Sequence, residues 1–368
     1  MDALTQGERV LHPLFGLGTV LSDETQGRVE VRFDANGQKM LALKFMMLQR
    51  VSPEEETAIR AKEQASMEQT FEFETENSHS PGSHWPPFYE NFMEDVFRRL
   101  DAIIPKCSPA LGMSSFDAYR APALPDNWAK GLKLRWPAIQ SAIHFVIRRE
   151  SEGNFVKAVF PAIGTGTQTT LTIMKVRVFE SGVEAQIEAR IGAASITFYD
   201  SDFVINVGWY RAGAEMDFIL CGLAYQCEPA DEPDMVLAED SPVMENLRKA
   251  AARSGDDPAE VANRISFKGA AILLPIENWD RDDYQFRGTI KEVKPFPMLG
   301  QDGWLLTVCV LRNLDRSDRE LNLGILVTPR VWKEPRPPSI GEDVRGALWL
   351  QGYLWSPPKQ FSANRQPD

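Results

Sequence analysis

Residues 7–51 read GERVLHPLFGLGTVLSDETQGRVEVRFDANGQKMLALKFMMLQRV, and their punctuation decides the fold class. Arg28-Val29-Glu30-Val31-Arg32-Phe33-Asp34 alternates strictly, with Val29, Val31 and Phe33 on one face. Period two is the signature of a half-buried strand. Ala35-Asn36-Gly37 follows, and Asn-Gly supplies the positive φ that a tight hairpin needs. Lys39 to Phe45 forms the return strand. Gly16 and Gly18 flank Leu17 at a bend into Thr19-Val20-Leu21. Five short strands in so little chain predict a small, twisted SH3-like barrel, whose closure removes free edges.

The remaining sequence extends this mainly β reading. The chain has 368 residues and a formal net charge of -12, with 40 basic and 52 acidic side chains. Two or three domains are expected at that length. The acidity argues against general coating of nucleic acid or an anionic membrane. No apolar run approaches the roughly 18 residues of a membrane span. The start, Met1-Asp2-Ala3-Leu4-Thr5-Gln6-Gly7-Glu8, lacks the basic-then-apolar order of a signal peptide, so a soluble, cytoplasmic chain is expected.

The N-terminal motif resembles a known family. Gly7, Val10, His12-Pro13, Phe15-Gly16, Gly18-Thr19-Val20, Val31-Phe33, Lys39, Leu41 and Lys44-Phe45 are similar to the Tudor-like (SH3-like) domain at the C-terminus of UvrD-type DNA helicases. The CarD-like and repair-coupling-factor domains that bind RNA polymerase belong to the same small-barrel class. The resemblance covers residues 7–51 only. It implies a non-catalytic module that recruits a protein, RNA polymerase or a DNA-repair factor in a bacterial setting. No GxxxxGK[ST] loop accompanies it, which argues against an ATP-driven motor. His12, Phe15, Leu17, Lys44 and Phe45 are the candidate partner contacts. Core packing competes for Phe15 and Phe45, and a structural hydrogen bond for His12. Leu17, between two glycines, is the residue most open to exposure. Six acids against six bases in residues 1–52 leave no phosphate-seeking excess.

Residues 53–87 predict a helix that decays into a flexible acidic linker. Ser52-Pro53-Glu54-Glu55-Glu56 is a strong helix start. Nine acids face two bases between 54 and 90, a pattern of extended, self-repelling chain. His79 and His84 fall in its Ser/Pro/Gly-rich part.

Residues 88–230 predict a central antiparallel sheet or sandwich. Phe92, Val96, Leu100 and Ile104 are spaced for one face of a short helix. Strands are expected around 143–147, 155–160, 172–179, 183–190, 195–199 and 216–227. In 183–190, Val183, Ala185, Ile187 and Ala189 face one way, and Glu184, Gln186, Glu188 and Arg190 the other. That predicts one solvated face. Residues 231–265 read as a helical connector, with Ser241-Pro242 starting one helix and Gly255 ending it.

Residues 266–356 predict a small OB-like barrel, and 357–368 a disordered tail. Tyr284, Phe286, Trp304, Trp349, Tyr353 and Trp355 form either a base-stacking face or the filling of a small core. Eleven acids balance eleven bases from 280 to 355, without the electrostatic funnel that single strands require.

Catalytic and metal signatures are weak. Cys107, Cys221, Cys227 and Cys309 form no CxxC pair, and Cys221 and Cys227 lie about 20 Å apart along one strand. His144 could pair with Asp200 or Asp202. Asp200-Ser201-Asp202 and Asp280-Arg281-Asp282-Asp283 could hold Mg²⁺ or Ca²⁺, but neither completes a calcium loop. Gly164-Thr165-Gly166-Thr167 leads into a strand and reads as a hairpin loop rather than a phosphate cradle. The expectation is a non-enzymatic adaptor without cofactor or metal, recruiting a protein through the N-terminal module. The alternative is a single-stranded nucleic-acid-binding protein using the C-terminal barrel.

Overall fold

The computed structural model describes residues 3–12, 16–34, 37–43, 48–74, 84–110, 124, 128–139, 141–231, 235–236, 238–255, 257–312, 314 and 320–356. The N-terminal alternation becomes a five-stranded antiparallel sheet of β1 (Arg9–His12), β2 (Gly16–Val20), β3 (Arg28–Phe33), β4 (Gly37–Ala42) and β5 (Gln49–Arg50). The order is β4-β3-β2-β1-β5. Gly37 pairs with Phe33 and has φ 67°, the positive φ expected of that glycine, while Ala35 and Asn36 lie outside the described residues. Leu4, Val10, Val20, Val29, Val31, Phe33 and Leu41 make a core belonging to this unit.

Helix α1 (Pro53–Thr70) follows. Ser52 and Glu55 form a reciprocal capping box, with Pro53 in the first turn. Thr70 is its one buried residue, so the helix is a polar strut about 27 Å long. Its start is tied to the sheet: Arg9 and Arg60 both bridge Asp34 and Glu56. Its end is tied to the body, where Ala212 N donates to Thr70 Oγ1 at 3.0 Å.

The expected flexible linker is therefore corrected over much of its length. Strand β6 (Phe71–Phe73) runs parallel to a body strand, and Glu72 pairs with Lys175 and Arg177. Glu74 pairs with Arg281. Distant cations pair with Glu56, Glu72 and Glu74 of the acid run, and a local charge count cannot see them. Residues 75–83, including His79, lie outside the described residues.

Next comes a helical cap: α2 (Phe92–Asp95), a 3-10 turn at 97–99, α3 (Leu100–Ile103) and a 3-10 turn at 104–106. Phe92, Val96, Leu100 and Ile104 do share one face, which covers a four-stranded antiparallel sheet. That sheet holds β7 (Ser108–Pro109), β8 (Lys130–Trp136), β9 (Ala142–Glu150) and β10 (Gly153–Ala162), in the order β10-β9-β8-β7. Its other face packs against the largest sheet through Val146, Phe160 and Trp349.

The largest sheet has ten strands. Besides β6 it contains β11 (Thr167–Val178), β12 (Ala185–Ile191), β13 (Ala194–Asp200) and β14 (Glu215–Pro229). A connector follows, with β15 (Met235–Val236) and β16 (Arg264–Ile265) paired to each other. The sheet resumes with β17 (Ile272–Pro275), β18 (Asp283–Pro295), β19 (Trp304–Leu311), β20 (Leu321–Val327) and β21 (Asp343–Ser356).

The pairing closes twice. One circuit runs β18-β19-β20-β14-β21 and back to β18. The other runs β11-β12-β13-β21-β14 and back to β11. The long antiparallel pair β14–β21 is the wall common to both. Close approach demands glycine here: a Cβ on Gly346 would sit 1.9 Å from Gln226 O.

This corrects the expected division of 88–230 from 266–356. The C-terminal strands close only with β14 from the preceding segment, because β20 and β21 need the two edges of that strand. The solvated face expected on 183–190 is also corrected. Glu184 and Gln186 are buried, and they bond Tyr199 and Asp282.

Helix α4 (Phe203–Asn206) lies between β13 and β14, and the connector holds α5 (Pro242–Ser254) between β15 and β16. Gly255 ends α5 at φ 88°. Among the described residues, no helix is long and apolar enough to cross a membrane. The tail 357–368 lies outside the described residues.

Candidate functional site

The five N-terminal candidates separate into two groups. His12 ends β1 and is buried, with its ring edge-on to Phe33 at 5.8 Å. Burial lowers its pKa. Leu17, the candidate most open to exposure, is 5% exposed in β2. Tight closure between β2 and β3 explains this, since Gly18 packs against Val31 and Phe33. Phe15, Lys44 and Phe45 lie outside the described residues. On the described surface of this unit, Met40 is 61% exposed on β4, a terminal strand of the sheet order.

The aromatic set of the C-terminal segment is core. Tyr284, Phe286, Trp349 and Tyr353 are buried, and Trp304 is half-buried against the main core. Tyr284 and Phe286 fill the main core, whereas Trp349 packs towards the four-stranded sheet and Tyr353 packs against Ile219. The base-stacking reading thereby loses the residues that suggested it.

The structure instead assembles a buried polar relay from residues that sequence patterns left apart. Asp280-Arg281-Asp282-Asp283 is a turn into β18, closed by Asp283 N donating to Asp280 O at 2.9 Å. Asp282 accepts from Gln186 Nε2 at 2.8 Å and from Trp349 Nε1 at 3.1 Å. Asp283 Oδ1 lies 2.6 Å from the Tyr225 hydroxyl, which lies 2.6 Å from His84 Nδ1. The His84 ring stacks on Trp349, with centroids 3.8 Å apart and planes at 8°. His84 and Asp282 are wholly buried.

Burial pushes the Asp283 carboxyl up to about 7, and the Tyr225 phenol is raised by the same cause. One hydroxyl hydrogen cannot serve both neighbours of Tyr225. With Asp283 ionised, Tyr225 donates to it and accepts from His84 Nδ1–H. With Asp283 protonated, the carboxyl can donate to Tyr225, which then donates to an unprotonated Nδ1. The relay therefore has two hydrogen-bond polarities that differ by a proton position.

A second buried group surrounds Asp200. Tyr210 bonds its Oδ2, and Asp202 N donates to its Oδ1 at 3.0 Å. Burial raises the Asp200 carboxyl to about 7. Asp202 forms a fully buried ion pair with Lys133, whose Nζ also donates to Ser201 O at 3.1 Å. This pair locks β8 to the turn after β13. Protein groups thus engage the two acid clusters that sequence offered as cation sites. Among the described residues, no group of three or more His, Cys, Asp or Glu could hold a metal ion. His144 is buried in β9 beside Phe160, at 5.9 Å between rings. Cys221, Cys227 and Cys309 are buried free thiols, and burial raises their pKa values.

Sequence reasoning placed His84 in a tether and left Tyr225 and Lys133 unremarked. The run His84-Trp85-Pro86-Pro87 carried the available signal, because a tether rarely holds such bulky rings. Here Trp85 and Phe88 are buried. The chain matches no family model, no curated protein and no solved structure.

Proposed function

We propose that this chain is a non-enzymatic adaptor that recruits a protein through an SH3-like N-terminal module. One observation carries the reading. The five-stranded unit owns its core, and a polar helix, tied to the unit at its start and to the body at its end, joins the two. A module serving only its own stability would gain more by burying an apolar face on the body. The resemblance of residues 7–51 to Tudor-like domains makes RNA polymerase or a DNA-repair factor the partner class. Strand β4 ends the sheet order and presents Met40, so an extended partner segment could add to that edge. Phe15, Lys44 and Phe45 are the further contact candidates.

The test is capture from host extract with full-length protein carrying Met40→Glu, or Lys44→Glu with Phe45→Ala. Loss of one partner in both variants, with an unchanged melting temperature, supports the reading. Capture of the same proteins at the same yield removes it.

A further inference from the structure

A cleft of about 560 Å³ opens where the helical cap meets the open end of the four-stranded sheet. This lies within the ~300–1,000 Å³ typical of small-molecule sites. Tyr89 from the segment before α2 and Trp136 from the end of β8 give it aromatic walls. Leu299 supplies a third apolar wall from the turn before β19.

That turn is held in a sparsely populated backbone state. Leu299 has φ 51°, in the left-handed region that L residues other than glycine rarely adopt. Reciprocal bonds between Met298 and Gln301, at 2.9 and 3.0 Å, hold it there. Gln301 Nε2 anchors the turn to the segment before α2 through Phe88 O at 3.3 Å. Backbone strain of this kind collects at functional sites.

The polar lining is rich in donors. Arg99, Lys106 and Arg330 contribute three cations from three separate elements. None of them makes an ion pair among the described residues, although the whole chain carries -12. Among the described residues, Arg330 uses only Nε, towards Pro86 O at 3.3 Å. Nor does a described residue bond the Tyr89 hydroxyl or the Trp136 indole N–H. Glu90 and Asp95 also line the cleft, so its excess is one positive charge.

We propose that this cleft is a binding site for a planar aromatic monoanion, such as an aryl carboxylate or sulfonate. The ring lies between Tyr89, Trp136 and Leu299, and the anionic group meets Arg99 and Lys106. This site is separate from the N-terminal module and does not depend on its role.

The experiment titrates the full-length chain with 1-anilinonaphthalene-8-sulfonate and follows the dye's fluorescence. The uncharged N-phenyl-1-naphthylamine, which has the same rings, is titrated beside it. One saturable site is expected, with the neutral compound bound about tenfold more weakly. The doubly substituted Arg99→Glu, Lys106→Glu chain should bind the dye about tenfold more weakly and leave the neutral compound unaffected. Both positions are exposed, and the melting temperature checks the fold. If that chain does not fold, Lys106→Gln must still weaken dye binding measurably. Absence of saturable binding, equal affinity for the two compounds, or an unchanged dye affinity in the variants overturns the proposal.

Discussion

Arg9 of β1 and Glu56 of the first turn of α1 form a two-pronged ion pair, with Nε–Oε2 at 2.9 Å and Nη2–Oε1 at 2.8 Å. Asp34 and Arg60 complete the cluster. The pair joins a sheet to a helix that otherwise shows it no apolar face. Partly exposed pairs contribute little stability, about 1 kcal/mol here, but this one fixes direction.

Arg9→Ala should therefore lower the melting temperature only slightly while freeing the N-terminal unit. Limited proteolysis around residues 50–53 should accelerate several-fold. Added salt should accelerate it in the natural chain too. Equal cleavage rates in both chains would show that the cluster does not hold the unit.

The two raised carboxyls give a pH dependence with a definite sign. Asp200 and Asp283 titrate at about 7 in the fold against 3.8 when free. The folded state holds their protons more tightly, so their contribution is full below 3.8 and is lost as pH rises through about 7. The paired acids Asp34, Glu56 and Glu72 have lowered values and act oppositely, at more acid pH. Stability should fall between about pH 5 and 7, by up to ~1.4 kcal/mol per pH unit for each group. Thermal melts of Asp200→Asn, Asp283→Asn protein should be flatter over that interval. An identical slope would remove the assignment.

The Lys133–Asp202 pair tests what a buried charge contributes. Lys133→Met leaves Asp202 buried without its cation and should destabilise by about 3–5 kcal/mol. Lys133→Met with Asp202→Leu should recover most of that loss. Urea unfolding of the three chains decides it, and a double variant no better than the single one contradicts the reading.

Gly346 tests the shared wall. Gly346→Ala places a methyl against Gln226 O, where the bulge of β14 leaves no room. A loss of about 3 kcal/mol or more is expected, and both circuits should loosen together. Hydrogen exchange should show β18 and β11 losing protection in parallel. Loosening confined to β18 would mean that the circuits are independent.

Strand positions were legible because period two is local. The alternation of Val29, Val31 and Phe33, and of Val183, Ala185, Ile187 and Ala189, lies on buried faces as expected. The capping box of α1 and the glycine stop of α5 were equally local. Pairing partners were not legible: nothing near Glu215–Pro229 shows that its two edges serve β11, β20 and β21. Buried polar residues were misread for the same reason. Glu184, Gln186, Asp200 and His84 look solvated until Tyr199, Asp282, Tyr210 and Trp349 arrive from elsewhere. The candidate contacts divided similarly, since burial of His12 and Leu17 depends on how β2 closes on β3.

The adaptor reading is tested most directly by quantitative capture from host extract, with the full-length chain beside one lacking residues 1–52. The account predicts that RNA polymerase subunits or a DNA-repair enzyme are recovered by the full chain and lost with the deletion, while the body still melts cooperatively. Recovery of the same proteins by both chains would contradict it and assign recruitment to the body from Pro87 onward.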